Sequence, residues 1–318
     1  MGYYDSRDIA YCWDYASKYV LIDSSFSSQM GPSLPNHLYL IAGQSANLSG
    51  NAQNISLSIP TVMDQLDAYN VSWRYYYDGP DGYTKEDMWS PIPGIQSFEG
   101  NTSRLSNLAP SDTFVHDISA GKLASVSWVM PRDNESEHPG ADNPVGEHYV
   151  VSTINEIMRS PYWNSTAVFV TWDDCGGFYG HVSSPQVDSF GLGFRVPCLI
   201  ISPYAKDGVI DHTQSDFSSI LKFIETTYSM PPLNDRVAMT SNMSNAFDFS
   251  QAPRAPLVLP GQYIADHYPL TLTSTQSPSA RPVPPVSDIR IAASVVVVVG
   301  VLSVLGIAYY LLARRNRS

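Results

Sequence analysis

Val168-Phe-Val-Thr-Trp-Asp173-Asp174-Cys-Gly176-Gly177-Phe-Tyr-Gly-His181 is the stretch on which the fold turns. It opens as a run of β-formers, Ala167 to Trp172, bounded before by Asn164-Ser165 and after by paired glycines. Such a short apolar run reads as a strand buried on both faces. Two carboxylates stand where that strand should end, and in open α/β sheets ligands sit outside the carboxyl ends of strands. Adjacent aspartates there repel each other unless a positive partner neutralises them. A divalent metal held by oxygen ligands is the simplest partner. The glycines let the backbone turn sharply and approach a ligand closely. The competing reading of the same residues is a solvated turn with two N-capping acids.

Outward from this stretch, strand and helix patterns alternate. Asp8, before Ile9, is the expected N-cap of a first helix through Ala16, and Tyr19–Ile22 is a short strand. In Gly31-Pro32-Ser33-Leu34-Pro35-Asn36-His37, Pro35 suits the first turn of a helix. The start of that helix offers free N–H groups and a positive dipole end to an anion. Ser33 there is either an N-cap or a nucleophile. A helix is expected over Pro60–Ala68, strands over Val71–Tyr77 and Leu123–Met130, and a turn at Gly79–Gly82. Asn134-Glu-Ser-Glu-His138-Pro139 follows the second of these strands directly. Further expectations are a helix over Gly146–Ser160, a strand over Val196–Pro203 and a helix over Thr213–Tyr228. Strands alternating with helices indicate an α/β fold with a largely parallel sheet.

Composition narrows the function. The chain has 318 residues and a formal net charge of −12. Four of its 18 bases, Arg290, Arg314, Arg315 and Arg317, cluster at the end, so residues 1–289 set 14 bases against all 30 acids. Nucleic acid is excluded as a partner by that balance. Cys12, Cys175 and Cys198 form no metal-binding spacing, and Cys198, in an apolar run, reads as a buried thiol. Ile291–Ala313 is uncharged over 23 residues and is followed at once by Arg314 and Arg315. That length and basic stop predict a transmembrane helix with its end in the cytoplasm. Seven N-x-[ST] triplets, at Asn47, Asn54, Asn70, Asn101, Asn134, Asn164 and Asn242, all precede it and suggest a glycosylated part outside the cell. Leu272–Asp288, rich in Ser, Thr and Pro, reads as an extended stalk. No apolar secretory segment lies at Met1–Asp8.

Six ordered blocks give the chain a family resemblance: 2–16, 26–43, 126–139, 171–182, 191–208 and 211–225. It resembles the phosphoesterase family of bacterial phospholipases C and acid phosphatase A, within the alkaline-phosphatase-like superfamily. The Asp-Asp-x-Gly-Gly-Phe-Tyr and Gly-Pro-Ser-x-Pro-Asn blocks together are the specific part. The resemblance implies an alkaline-phosphatase-like α/β fold, a largely parallel sheet between helices. It implies a phosphoesterase domain over 1–262 lacking its N-terminal part. A stalk over 263–290, a transmembrane helix over 291–313 and a cytoplasmic tail over 314–318 complete the expected organisation.

The same resemblance assigns roles. Ser33 matches the nucleophile position and touches the metal; Asp173 and Asp174 match the paired metal ligands; His138 lies close to the phosphate. Asn36, His181 and His212 are candidate substrate contacts. The family's usual Asp before His181 is Gly180 here, which removes a carboxylate partner for that imidazole. The family also carries a Glu-Asn pair at the end of a first strand, and no such block precedes Tyr3. The implied function is a metal-dependent phosphoric ester hydrolase at the cell membrane, single-pass with its catalytic domain outside, and a phosphate ester as substrate. The alternative is an inactive surface glycoprotein that keeps the fold, and the missing pair predicts little activity from residues 1–318 alone.

Overall fold

The computed structural model describes residues 5–52, 54–77, 89–141, 143–176 and 180–260, and the backbone of 295–300. Its strands are β1 (Val20–Ile22), β2 (Trp73–Tyr77), β3 (Leu108–Pro110), β4 (Val126–Val129), β5 (Thr166–Thr171), β6 (Cys198–Ile201), β7 (Val209–Asp211) and β8 (Val295–Gly300). They form one sheet in the order β3-β2-β4-β8-β5-β6-β1-β7. Only β6 runs antiparallel to its neighbours, so the sheet is largely parallel as expected.

The helices are α1 (Ala10–Lys18), α2 (Ser33–Ala42), α3 (Val62–Ala68), α4 (Thr102–Leu105), α5 (Thr113–Ser119), α6 (Asn143–Arg159), α7 (Phe217–Thr227) and α8 (Asp235–Met239). α2 packs on α3 and α7, and α7 on α8, while α6 packs on α1 and α5. All six β5 residues are buried, which explains why that run carries no polar alternation. Val168, Phe169 and Val170 are fully enclosed, each worth about 1.5–3 kcal/mol relative to exposure. Trp128 and Tyr75 stack at 6.5 Å between β4 and β2 in the same core.

Three expectations change. Asp8 does not cap α1: Ile9 is the N-cap, and the Asp8 carboxylate accepts instead from the Asp5 backbone N–H at 2.9 Å. β3 and β7 are additional strands, each too short for a readable alternation. The third concerns the expected transmembrane helix. Val295–Gly300, inside that run, is a strand lying between β4 and β5 and parallel to both, with Val126 opposite Val296 and Thr166 opposite Val295. A valine run has the β-branched character of a strand, and six residues suffice for a sheet although not for a membrane. Among the described residues no helix is long and apolar enough to cross a membrane. The rest of 291–313, the Gly79–Gly82 turn, the stalk over 263–290 and the tail over 314–318 lie outside the described residues.

Candidate active site

The parallel strands bring their carboxyl ends to one edge. Asp173 and Asp174 follow β5, the His138 loop follows β4, Asp23 follows β1 and His212 follows β7. β6, being antiparallel, starts at that same edge, with Cys198 opposite both Thr171 and Ile22.

Ser33 is the first residue of α2 and is buried, entered through Pro32 in an extended conformation. Its N-cap residue, Pro32, offers no capping side chain. The cap reading of Ser33 therefore loses its geometry, since a capping residue stands outside the first turn. The Leu34 N–H donates to Asn51 Oδ1 at 2.9 Å. Asn36 has no exposure. Its amide accepts from the Gln29 N–H and donates toward the Gln29, Gly31 and Pro32 carbonyls at 3.2–3.3 Å. Rather than facing a substrate, Asn36 fastens the loop that delivers the chain to Ser33.

His37 stands four residues after Ser33, on the same face of α2. Its Nε2 is 3.4 Å from Asp173 Oδ2, and both side chains are buried. The contact is not aligned as a hydrogen bond, and neither Asp173 oxygen has a hydrogen-bond partner among the described residues. Asp174 Oδ1 accepts from the Gly176 N–H at 2.7 Å, a contact permitted by the left-handed Gly176 at φ +52. Burial and the Asp173 charge push the Asp174 carboxyl up to about 6; His138 and His37 are close enough to oppose that rise. Two neighbouring carboxylates, one raised and one without donors, fit a divalent cation that neutralises both. Among the described residues no third His, Cys, Asp or Glu completes a metal cluster with them.

His138 is half-buried, its ring 5.9 Å from that of Trp89 and its Nδ1 3.2 Å from the Pro139 carbonyl oxygen. Glu137 beside it is buried in a left-handed conformation, φ +58, and its Oε2 accepts from Trp172 Nε1 at 3.0 Å. That bond ties the His138 loop to the residue preceding Asp173. Gly146 of α6 makes the space: a Cβ there would stand 2.3 Å from Glu137 Cγ. Burial pushes the Glu137 carboxyl up to about 8; the Trp172 hydrogen bond opposes this and Glu147 adds to it. A neutral Glu137 suits so dry a position.

His212 lies farther along the edge. Its Nδ1 is 2.9 Å from both carboxylate oxygens of buried Asp23. His181 is exposed, one residue from Gly180, which borders Arg195. Thus the structure gathers His37, Asp173, Asp174 and His138, with Ser33 one turn ahead of His37 on the same helix face, and puts His212 on Asp23 farther along the edge and His181 next to the glycine that borders Arg195. His37, Glu137, Asp23 and Arg195 were not singled out from sequence. Asp23 had the same signal as Asp173, an acid at the end of an apolar strand run.

The chain matches the profile of the Phosphoesterase family over residues 1–231. It belongs to that family. Among curated proteins it is 28% identical over 301 residues to phospholipase C A of Mycobacterium tuberculosis, covering 80% of this chain and 58% of the relative. It is 25% identical over 341 residues to the non-hemolytic phospholipase C of Pseudomonas aeruginosa, covering 90% and 48%. With non-specific phospholipase C1 of Arabidopsis thaliana it shares 26% over 279 residues, covering 75% and 50%. The chain therefore spans about half the length of these relatives.

Proposed function

We propose that the protein is a metal-dependent phosphoric ester hydrolase of phospholipase C or acid phosphatase type, with Ser33 as nucleophile. One observation carries this reading: a carboxylate pair, Asp173 buried without hydrogen-bond donors and Asp174 half-buried beside it, stands against the helix that starts at Ser33, through His37. Family membership agrees with it. Asp173, Asp174 and Ser33 are the residues that would hold a divalent metal. Such an ion, when bound, would neutralise phosphoryl oxygens and favour the ionised serine. At the start of α2 the Ser33 N–H and the helix dipole serve the charge that develops on the same oxygens, the Leu34 N–H being held by Asn51 and Pro35 having none. Ser33 Oγ attacks phosphorus in line; the Oγ–P bond forms as the bond to the leaving alcohol breaks. His138 gives its proton to the departing oxygen, and water then cleaves the phosphoseryl ester. His37 steadies Asp173, and Glu137 fixes the His138 loop through Trp172.

Ser33→Ala in the full-length protein tests the reading. Alanine supplies no oxygen, so turnover of a phosphate ester should disappear while the fold survives. A purely helical role predicts near-intact turnover, and that result would overturn the assignment. The alternative reading is an inactive surface glycoprotein that keeps the fold. It predicts no turnover even in the unsubstituted full-length protein.

The topology belongs to the same proposal: residues 1–289 outside the cell, Ile291–Ala313 as anchor and a cytoplasmic basic tail. Its support is the uncharged run with its basic stop, and the surface position of the sequons, of which Asn47, Asn54, Asn70, Asn134 and Asn164 are exposed. This proposal requires Val295–Gly300 to enter the membrane with the rest of the run and to leave its places beside β4 and β5. Protease added to intact cells should remove the domain and spare an epitope on the tail; loss of that epitope would reverse the orientation.

A further inference from the structure

The described arginines divide sharply. Arg7, Arg74, Arg104, Arg132, Arg159, Arg236 and Arg254 are each ion-paired to an aspartate or glutamate. Of the described arginines Arg195 alone has neither a side-chain ion pair nor a side-chain hydrogen bond, in a chain where 30 acids outnumber 18 bases. It is not a loose surface side chain, since it is half-buried. Its backbone is stitched to the segment after β1: Arg195 faces Phe26, the Ser27 N–H donates to the Phe194 carbonyl at 2.9 Å, and the Val196 N–H donates to the Ser25 carbonyl at 3.0 Å. This fixes the Arg195 backbone beside the segment that leaves the carboxyl end of β1, at the edge where open sheets take ligands.

Two neighbours shape its surroundings. Gly180 borders it so closely that a Cβ there would lie 3.3 Å from Arg195 Nε and 3.6 Å from Nη2. A carboxylate side chain at 180 would cover the guanidinium and pair with it; glycine leaves it open. The second neighbour is Asp23, whose charge opposes the loss of the guanidinium proton that burial favours. Asp23 is already engaged by His212, Nδ1 to both oxygens at 2.9 Å. That bond fixes the imidazole, and the ring, 58% exposed, turns its Nε2 away from the carboxylate.

We propose that Arg195 and His212, arranged about Asp23, form a second anion subsite, and that Gly180 is the specificity-determining position that keeps it open. The subsite rests on the phosphoesterase reading and extends it. β1 is two strands from β5, about 9.6 Å at the usual spacing. The reacting phosphate at Asp173 and Asp174 and a second anionic group on the leaving alcohol would thus be held together. The class of substrate favoured is a phosphate ester whose alcohol carries another phosphate or a carboxylate. An arginine fork and an imidazole donor suit either of these oxyanions.

Calorimetric titration of the full-length protein with hexylphosphonate and with hexane-1,6-bisphosphonate, which have no leaving alcohol and are not turned over, manganous ion present, tests this. The unsubstituted protein should bind the bisphosphonate about tenfold more tightly, beyond the statistical advantage of its two ends. Arg195→Met and, separately, Gly180→Asp should erase the preference and leave hexylphosphonate binding unchanged. Arg195→Lys should retain part of it, which separates lost charge from lost folding. Equal affinity for the two ligands in the unsubstituted protein would overturn the subsite, as would a preference that survives both Arg195→Met and Gly180→Asp. Failure of both ligands to bind would defeat the phosphoesterase reading, and the subsite with it.

Discussion

Asp173 and Asp216 are buried to the same depth, 3% exposed each, and live in opposite surroundings. Asp216 caps α7. It accepts from Ser28 Oγ at 2.9 Å and Thr240 Oγ1 at 3.1 Å, and pairs with Arg236 Nη2 at 2.7 Å. Arg236 is itself paired with Asp188 and stacked on Tyr39. Asp173 has no donor, a histidine at 3.4 Å and a second aspartate next in sequence. A carboxylate that holds a fold together brings its own counter-charges. One that lacks them, at a strand's carboxyl end, is arranged for a charge that arrives from outside.

The comparison can be broken by making matched substitutions at the two sites. Asp216→Ala should destabilise the protein by about 2–4 kcal/mol, because it takes one of two carboxylate partners from half-buried Arg236 and removes a helix cap. A loss below about 1 kcal/mol in denaturant titration would mean that Asp216 is not structural in this sense. Asp173→Asn should act in the opposite direction. With metal removed by chelator, it relieves an uncompensated buried charge and should stabilise by about 1–2 kcal/mol. Destabilisation in that metal-free comparison would show that His37 already balances the carboxylate.

A smaller and more graded effect belongs to Glu137. Its carboxyl is raised from 4.5 to about 8, so between those values the folded chain keeps a proton that the unfolded chain has lost. Stability therefore has its full value below about pH 4.5 and falls as pH rises toward about 8. Glu137→Gln keeps the shape and an acceptor for Trp172, and should remove this part of the slope. An identical pH–stability curve in the variant would exclude Glu137 as its source.

Much of this edge is legible in the sequence, for physical reasons. Ala167–Trp172 is apolar without alternation because β5 is covered on both faces, and the acids after it mark its carboxyl end. Pro35 and the glycine at 31 mark the start of α2, so Ser33 is placed correctly at its first turn. The rest depends on contacts between distant parts of the chain. Asp23 and His212 are 189 residues apart and meet only because β7 pairs with β1. Glu137 reads as a solvent-side loop acid; only the space at Gly146 and the Trp172 indole bury it. His37 reads as an ordinary helix residue until α2 is laid against the end of β5. Val295–Gly300 shows the opposite difficulty. Its valines suit a strand and a membrane helix equally, so pattern alone selects by length, while the sheet uses six residues of the run.

The central claim is that Asp173 and Asp174 require an external cation, and metal affinity measures it directly. Calorimetric titration of the full-length protein with manganous ion should show a divalent site that Asp173→Asn and Asp174→Asn each abolish. Its affinity should fall as pH drops through about 6, where the Asp174 carboxyl takes up a proton. Affinity unchanged in both variants would contradict the account.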